Sequence, residues 1–458
     1  MQNKSSFFMS IVLLLSCLFI VSVVFAEDQT PTYSGDLWSR STLTGDWGGL
    51  RNDLAKKGVT FDMSLTQVGI GLISGGKDTG WEYSGRENIT INVDTQKLGL
   101  WPGGFLTVEA EGNYNKSINR NTGALSPVNT NQLFPQPGSI EVLNFPALTY
   151  MQFLSHYFGV VFGKLDTTSG DANEFAHGKG DTQFFNLSLS FNPAYMLTVP
   201  NSVLGAGVII LPTQDPDSAV ITAFVMDANG KADRSGFDTA FEGNDTYAIE
   251  GRVRTNFFGM TGHQLVGATY SSKNYTSLNQ DTLVSLKGFV QSGQLTIQQV
   301  NNSWSVYYNF DQYLWEPSKG HGIGVFGRFG ASDGEANPVH YFYSLGIGGK
   351  GVMTSRPNDA FGIGYYYIDI ANPTLTGIFI NKQFLRDEYG FEAYYNIAIT
   401  PWMKLTPDIQ VIRPAQKEEL GVVLSPKNIF GVQVPVPTIV KNDINTAVVA
   451  GLRLQILF

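Results

Sequence analysis

From about Val59 to the last residue, one pattern recurs along this chain: apolar side chains at every second position, opposed by polar or small ones. Ile89, Ile91 and Val93 alternate with Asn88, Thr90, Asn92 and Asp94. Leu106, Val108 and Ala110 alternate with Thr107, Glu109 and Glu111, and Tyr247, Ile249 and Val253 with Glu250, Arg252 and Arg254. The same alternation runs through Trp304, Val306 and Tyr308, then through Tyr389, Phe391 and Ala393. It ends only with the chain, where Phe458, Ile456, Leu454, Leu452, Ala450 and Val448 oppose Gln455, Arg453 and Gly451. A period of two belongs to a strand with two unlike faces. Two questions follow: which solvent each face meets, and why a strand should stop flush with the terminus, where fraying is ordinarily cheapest.

Composition answers the first. Aromatic residues make up 13% and glycines number 50, yet only 15% of the chain is charged, against roughly 25% in ordinary soluble domains. The polar register is mostly Asn, Gln, Ser, Thr and Gly, and it also holds Arg and Glu together. A dry sandwich core could not carry Glu250, Arg252 and Arg254 on one inner face without a heavy desolvation cost. A wall with lipid outside and water inside accommodates both facts. Apolar faces that begin or end on Trp81, Tyr83, Trp304, Tyr365 or Tyr389 place aromatics where interfacial girdles belong.

The N-terminus indicates export. Lys4 precedes an apolar run from Phe7 to Phe25, and Val24-Phe25-Ala26 offers a cleavage site, so residues 1–26 read as a signal peptide. The single cysteine, Cys17, falls inside it, leaving an exported chain without disulfides. The net charge of −9 argues against nucleic acid as a partner. After residue 26 no apolar run approaches the ~18 residues of a spanning helix.

Residues 27–60 form an N-terminal segment. There Asp46, Leu50, Leu54 and Gly58 predict a short amphipathic helix of about three turns, capped by Asp46 and stopped by Gly58. Residues 61–458 are left for strands, and at roughly 9–14 residues each they predict about 14 to 18. Stretches 117–140, 212–246 and 414–443, rich in Gly, Pro, Asn and Asp, are the expected long connections. The expected fold is therefore all-β, a transmembrane antiparallel β-barrel. Closure answers the second question, because a last strand paired with the first has no free edge. A terminal aromatic such as Phe458 resembles the signal that outer-membrane barrels present to their insertion machinery.

Several motifs carry a family resemblance: Gly45-Asp46-Trp47-Gly48-Gly49-Leu50-Arg51, Gly163-Lys164-Leu165-Asp166-Thr167, Gly170-Asp171-Ala172-Asn173-Glu174-Phe175-Ala176, Arg356-Pro357-Asn358-Asp359, and Thr400-Pro401-Trp402-Met403-Lys404-Leu405-Thr406-Pro407-Asp408-Ile409-Gln410. From about residue 37 to its end, the chain resembles the carbohydrate-selective porins of Gram-negative outer membranes, the OprB type. It departs at Arg413-Pro414-Ala415-Gln416, where the family usually continues Pro-Gly-Gly and this loop is longer. The resemblance implies 16 strands, no cofactor, and a narrowed channel that admits mono- or disaccharides through a constriction of arginine, acidic and aromatic groups. A sugar's hydroxyls suit Arg and carboxylates, and its C–H face suits aromatic rings. Arg86, Glu109, Glu111, Arg252 and Arg254 lie on the lumen register and are the candidate pore-lining contacts, with Arg86 expected opposite Glu109. Asp166 and Asp171 sit where a strand meets a loop, and turn capping outweighs cation binding for both.

Two further patterns carry no chemistry of their own. Gly346-Ile347-Gly348-Gly349-Lys350-Gly351 matches a dinucleotide fingerprint, but strand-like sequence follows it. Ser155 and His156, the one tempting hydrolytic pair, are neighbours on a strand and point to opposite faces. An enzyme is not expected.

Overall fold

The computed structural model describes residues 33–458 apart from 135–141, 241, 293, 295, 372–373, 377–381, 384 and 430–431. The proposed signal peptide lies outside the described residues. Sixteen strands close into one antiparallel barrel. They are β1 (Val59–Gly76), β2 (Gly80–Asp94), β3 (Gly104–Asn115), β4 (Val142–Ser155), β5 (Phe158–Asp166), β6 (Ser202–Ile210), β7 (Ala219–Asp227) and β8 (Asp245–Phe257). The circuit continues with β9 (Met260–Thr276), β10 (Gln299–Ser318), β11 (His321–Ser332), β12 (Val339–Lys350), β13 (Ala360–Ile370), β14 (Glu388–Thr400), β15 (Met403–Arg413) and β16 (Asn445–Leu457). Each strand pairs with its sequence neighbour, and β1 with β16 closes the ring, Thr66 standing opposite Gln455.

The alternation assigns the faces. Tyr247, Ile249 and Val253 are exposed on the outer wall, as are Trp304, Val306 and Tyr308, while Ser303, Ser305 and Asn309 are buried inward. Tyr343, Tyr367 and Tyr389 form an outer aromatic ladder, with successive ring centroids 5.1 and 6.5 Å apart and planes nearly parallel. Four connections are tight two-residue turns, at 156–157, 258–259, 319–320 and 401–402. They share one end of the barrel with the strand start at Val59 and the terminus at Phe458. Short turns mark the periplasmic end, so the long loops between β3 and β4, β5 and β6, β7 and β8, β9 and β10, β13 and β14, and β15 and β16 belong to the outer one.

Two expectations need correction. The helix is α1 (Leu50–Lys56), seven residues and two turns rather than three. The residue before it is Gly49 at φ 95°, with no side-chain cap, while Asp46 Oδ1 instead accepts from Gly48 N at 3.1 Å one turn earlier. Its buried face carries Arg51 and Ala55, and Leu50 is exposed. Arg51 explains this, since its Nη1 donates to the carbonyl oxygen of Phe458 at 2.9 Å and its guanidinium stacks 3.9 Å from the Tyr33 ring. The stretch 212–246 is not one connection, because its centre, Ala219–Asp227, is the barrel strand β7. The stretch 414–443 is the expected long connection, between β15 and β16, and within it Glu418–Ile429 pairs with Val432–Asp443 as a hairpin.

The lumen is not simply wet. Residues 116–134 and 167–201, from two outer-end loops, fold down into it and bury apolar groups against the inner wall. Phe175, Phe184 and Leu189 of the second loop pack on Phe326, Phe342, Tyr366 and Tyr394 from β11–β14. Phe185 and Val128 pack on Val68, Ile70 and Val449 from β1 and β16. Glycines make room for this. A Cβ on Gly348 would stand 2.6 Å from that of Phe175, and one on Gly364 would stand 2.7 Å from a methyl of Leu189. Within the G-x-G pattern of β12, Gly348 thus seats a loop side chain, while Gly346 makes room for Phe326 of the adjacent strand.

Candidate functional site

The 167–201 loop crosses the lumen on a series of polar anchors, each a buried group finding the partner its burial demands. Asp171, at φ 55°, meets β11 first: Arg328 Nε lies 2.8 Å from Asp171 Oδ2, with neither side chain exposed. Asn309 Nδ2 donates to Asp171 Oδ1 at 2.7 Å and Asn192 N to Oδ2 at 2.8 Å. The Arg328 guanidinium also donates to the carbonyl oxygens of Asp171, Ala176 and Leu189. One arginine therefore ties separate parts of the loop to the wall. Further on, the backbone N–H of Asn186 donates to Glu392 Oε2 at 3.0 Å, while Ser126 N of the neighbouring loop donates to Glu388 Oε1 at 2.9 Å.

The tip of the loop, Gly178-Lys179-Gly180-Asp181, reaches the opposite wall. Arg453 Nη1 of β16 donates to the carbonyl oxygen of Gly180 at 2.7 Å. Arg86 Nη1 of β2 contacts Asp181 Oδ2 at 3.0 Å, and Arg86 Nη2 pairs with Glu111 of β3. Lys179 pairs with Asp166 at the end of β5 and lies 3.8 Å from Glu109 Oε1. The result is two charge triads, Glu111–Arg86–Asp181 and Glu109–Lys179–Asp166, which join three strands to the loop tip. Burial opposes the Lys179 charge, but Asp166 and Glu109 outweigh it and hold its pKa above the ordinary lysine value.

The candidates are placed unequally. Arg86 does not stand opposite Glu109; its cross-strand neighbour is Asn113, and Glu109 faces Thr90. The turn between β2 and β3 sets this register, and the turn's length cannot be read from the alternation. Arg86 and Glu111 are each only 2% exposed, covered by the loop tip and, for Arg86, by the Phe134 ring at 5.7 Å. Glu109 and Lys179 keep more access, with 11% and 19% of their side chains exposed. Asn88 Nδ2 donates to Glu109 Oε1 at 2.6 Å and so aims that carboxylate. Arg252 and Arg254 of β8 lie apart from this cluster. Arg252 is half-buried beside Glu250, and Arg254 pairs with Asp215 at 3.6 Å near the short-turn end.

Asp166 is a turn cap, its Oδ1 accepting from Thr168 N at 2.9 Å, and also a partner of Lys179. Asp171 is committed to Arg328. Lys179, Asp181, Arg328 and Arg453 escaped the sequence reading. Arg453 had a signal, as a charge on the inner register of the last strand. Lys179 and Asp181 had none, because a loop has no period.

Comparison with known proteins places this architecture. Residues 78–458 match the family model described as "Carbohydrate-selective porin, OprB family". Porin B of Pseudomonas aeruginosa is 21% identical over 452 residues, covering 91% of each chain. The putative porin QuiX of Acinetobacter baylyi is 24% identical over 443 residues, covering 85% of this chain and 92% of its own. The high-pH structure of Pseudomonas putida OprB superposes with a TM-score of 0.71 at 19% identity, covering 93% of this chain and all of that one.

Proposed function

The chain belongs to the carbohydrate-selective porin, OprB family, in the outer membrane, and from that premise we propose that the charged clamp at the loop tip is the selective passage for small sugars. The supporting observation is the Arg86–Asp181 contact at 3.0 Å, which fixes the tip of an inward-folded loop against the far wall. Glu109 and Lys179 are the accessible acceptor and donor there. Arg86 and Glu111 stand behind them and hold Asp181 in place. Arg252 and Arg254 line the route toward the periplasmic end without forming the narrow point.

Interspersed charges among Asn, Thr and Ser suit an uncharged polar solute better than a strongly charged one. A charge-assisted hydrogen bond to a sugar hydroxyl is worth ~1.5–3 kcal/mol before solvent competes, so affinity on the millimolar scale is expected. That weakness serves a channel, because a tightly held solute would not leave. The other readings concern partners. Outer-membrane lipid covers the apolar wall, and the strand ending at Phe458 is what the insertion machinery engages. No chemical step is asked of the barrel, and Ser155 and His156 stay structural. Liposome swelling with mono- and disaccharides, compared with charged solutes of similar size, tests the passage. Equal rates for neutral and charged solutes would remove the selectivity assigned to it.

A further inference from the structure

Beside Asp166, a cleft of about 190 Å³ opens between the root of the 167–201 loop and the inner faces of β7–β10. That volume is several times the ~30 Å³ share of one water molecule and is on the scale of a single sugar ring. Tyr195, Tyr307 and Phe224 give it an aromatic wall, and Thr222, Asp166 and Glu250 give it polar edges. The Tyr195 and Tyr307 rings lie with centroids 5.0 Å apart and planes 32° from parallel.

One polar group in the cleft is only partly used. Glu250 Oε2 accepts from Asp171 N at 3.0 Å and from the Tyr307 hydroxyl at 2.9 Å, which fixes the carboxylate. Its Oε1 accepts no hydrogen bond from the described residues. Tyr195 is 4% exposed, and its hydroxyl has no partner among the described residues. Asn192 positions it, because its side-chain oxygen accepts from Ala194 N at 3.1 Å and starts the short turn Pro193–Met196 that presents the ring. That hydroxyl is itself buried, so Tyr195 offers the cleft its ring and not its oxygen.

An aromatic wall and a fixed carboxylate with one open oxygen are the elements that recognise a pyranose: rings for its C–H face, a polar group for its hydroxyl rim. We propose that this cleft is a second saccharide site, distinct from the charged clamp, which docks one pyranose ring against Tyr195 and Tyr307 beside the passage. It rests on the sugar-channel reading, and the test separates the two.

The experiment is D-glucose block of ion current through the full-length barrel in planar bilayers, comparing wild type with Ala248→Trp, which fills the cleft from β8. Tyr195→Phe, which removes only a buried hydroxyl, is the control and should leave the block unchanged. The expected result for Ala248→Trp is a rise of about three- to tenfold in the half-blocking glucose concentration, with an unchanged heat-modified gel shift. Should that variant fail to assemble, Ala248→Leu is read in the same way. Saturable block in wild type with an unchanged half-blocking concentration in the cleft-filling variant would overturn the second site and leave the channel standing. Absence of saturable glucose block in wild type would overturn both.

Discussion

Arg328 and Asp171 are 157 positions apart in the chain and meet at 2.8 Å, each with its side chain wholly withdrawn from solvent. Breaking such a pair by removing one partner leaves a buried charge uncompensated, at a cost of about 3–5 kcal/mol. Arg328→Met should therefore release the 167–201 loop while the strand ladder keeps the barrel closed. Single-channel recording should show higher conductance and more noise, and limited proteolysis should cut within the loop. An unchanged, quiet channel would mean the remaining anchors suffice.

Arg86→Ala should free Asp181 and loosen the tip from β2. Small-ion conductance should rise and saturable glucose uptake fall, with surface expression intact. Arg86→Lys keeps the charge but not the two-armed geometry, and should recover only part of the effect. Liposome swelling with glucose, against a charged solute of similar size, decides the matter. Uptake with unchanged rate and saturation would reduce Arg86 to a lumen charge.

His177 gives the loop a pH dependence. Burial, reinforced by the nearby positive Arg328 and Lys179, pushes its imidazole down to about 4 from an ordinary value of 6.5. Between those values the unfolded loop binds a proton that the packed loop refuses, so packing weakens as pH falls through this window and is unaffected by His177 above it. Asp171 and Glu174, whose carboxyls burial raises, act with the opposite sign. Hydrogen exchange of the loop, corrected for intrinsic rates, isolates the histidine when wild type is compared with His177→Phe at about pH 4.5 and about pH 7.5. The acid-induced loosening should shrink in the variant, whose ring can keep the edge-on contact with Phe191 that His177 makes at 5.2 Å.

Deleting Phe458 removes the carbonyl that Arg51 holds at 2.9 Å and the N–H that donates to Met63 O at 2.8 Å. Assembly should suffer far more than sugar binding. Surface levels equal to wild type would contradict this.

Much of the barrel was legible because a strand's period is local. Each alternation names its own two faces, and Arg453 or Glu111 announces a wet or ion-paired interior before any coordinate is known. What the period cannot supply is register, so Arg86 met Asn113 rather than Glu109. Nor can it supply the course of a loop whose anchors lie on distant strands. The inner register did hold a trace of that course. Phe326, Phe342 and Tyr366 face inward beside Gly346, Gly348 and Gly364, large rings next to empty places, which is how a wall looks when something else is meant to pack on it.

The inward loop also imposes a calendar on the molecule. Its tip and following turn bind partners that lie 273 and 207 positions later, Arg453 for Gly180 and Glu392 for Phe185. Those partners belong to the last strands synthesised, and their faces form one surface only when β16 has met β1. The passage proposed at the loop tip should thus be the last part of the protein to form. A newly closed barrel should be wide and indiscriminate, and then tighten. A time course of assembly should show the closed-barrel gel shift first and protease resistance of residues 167–201 afterwards. The reverse order would mean the loop finds its shape without the wall.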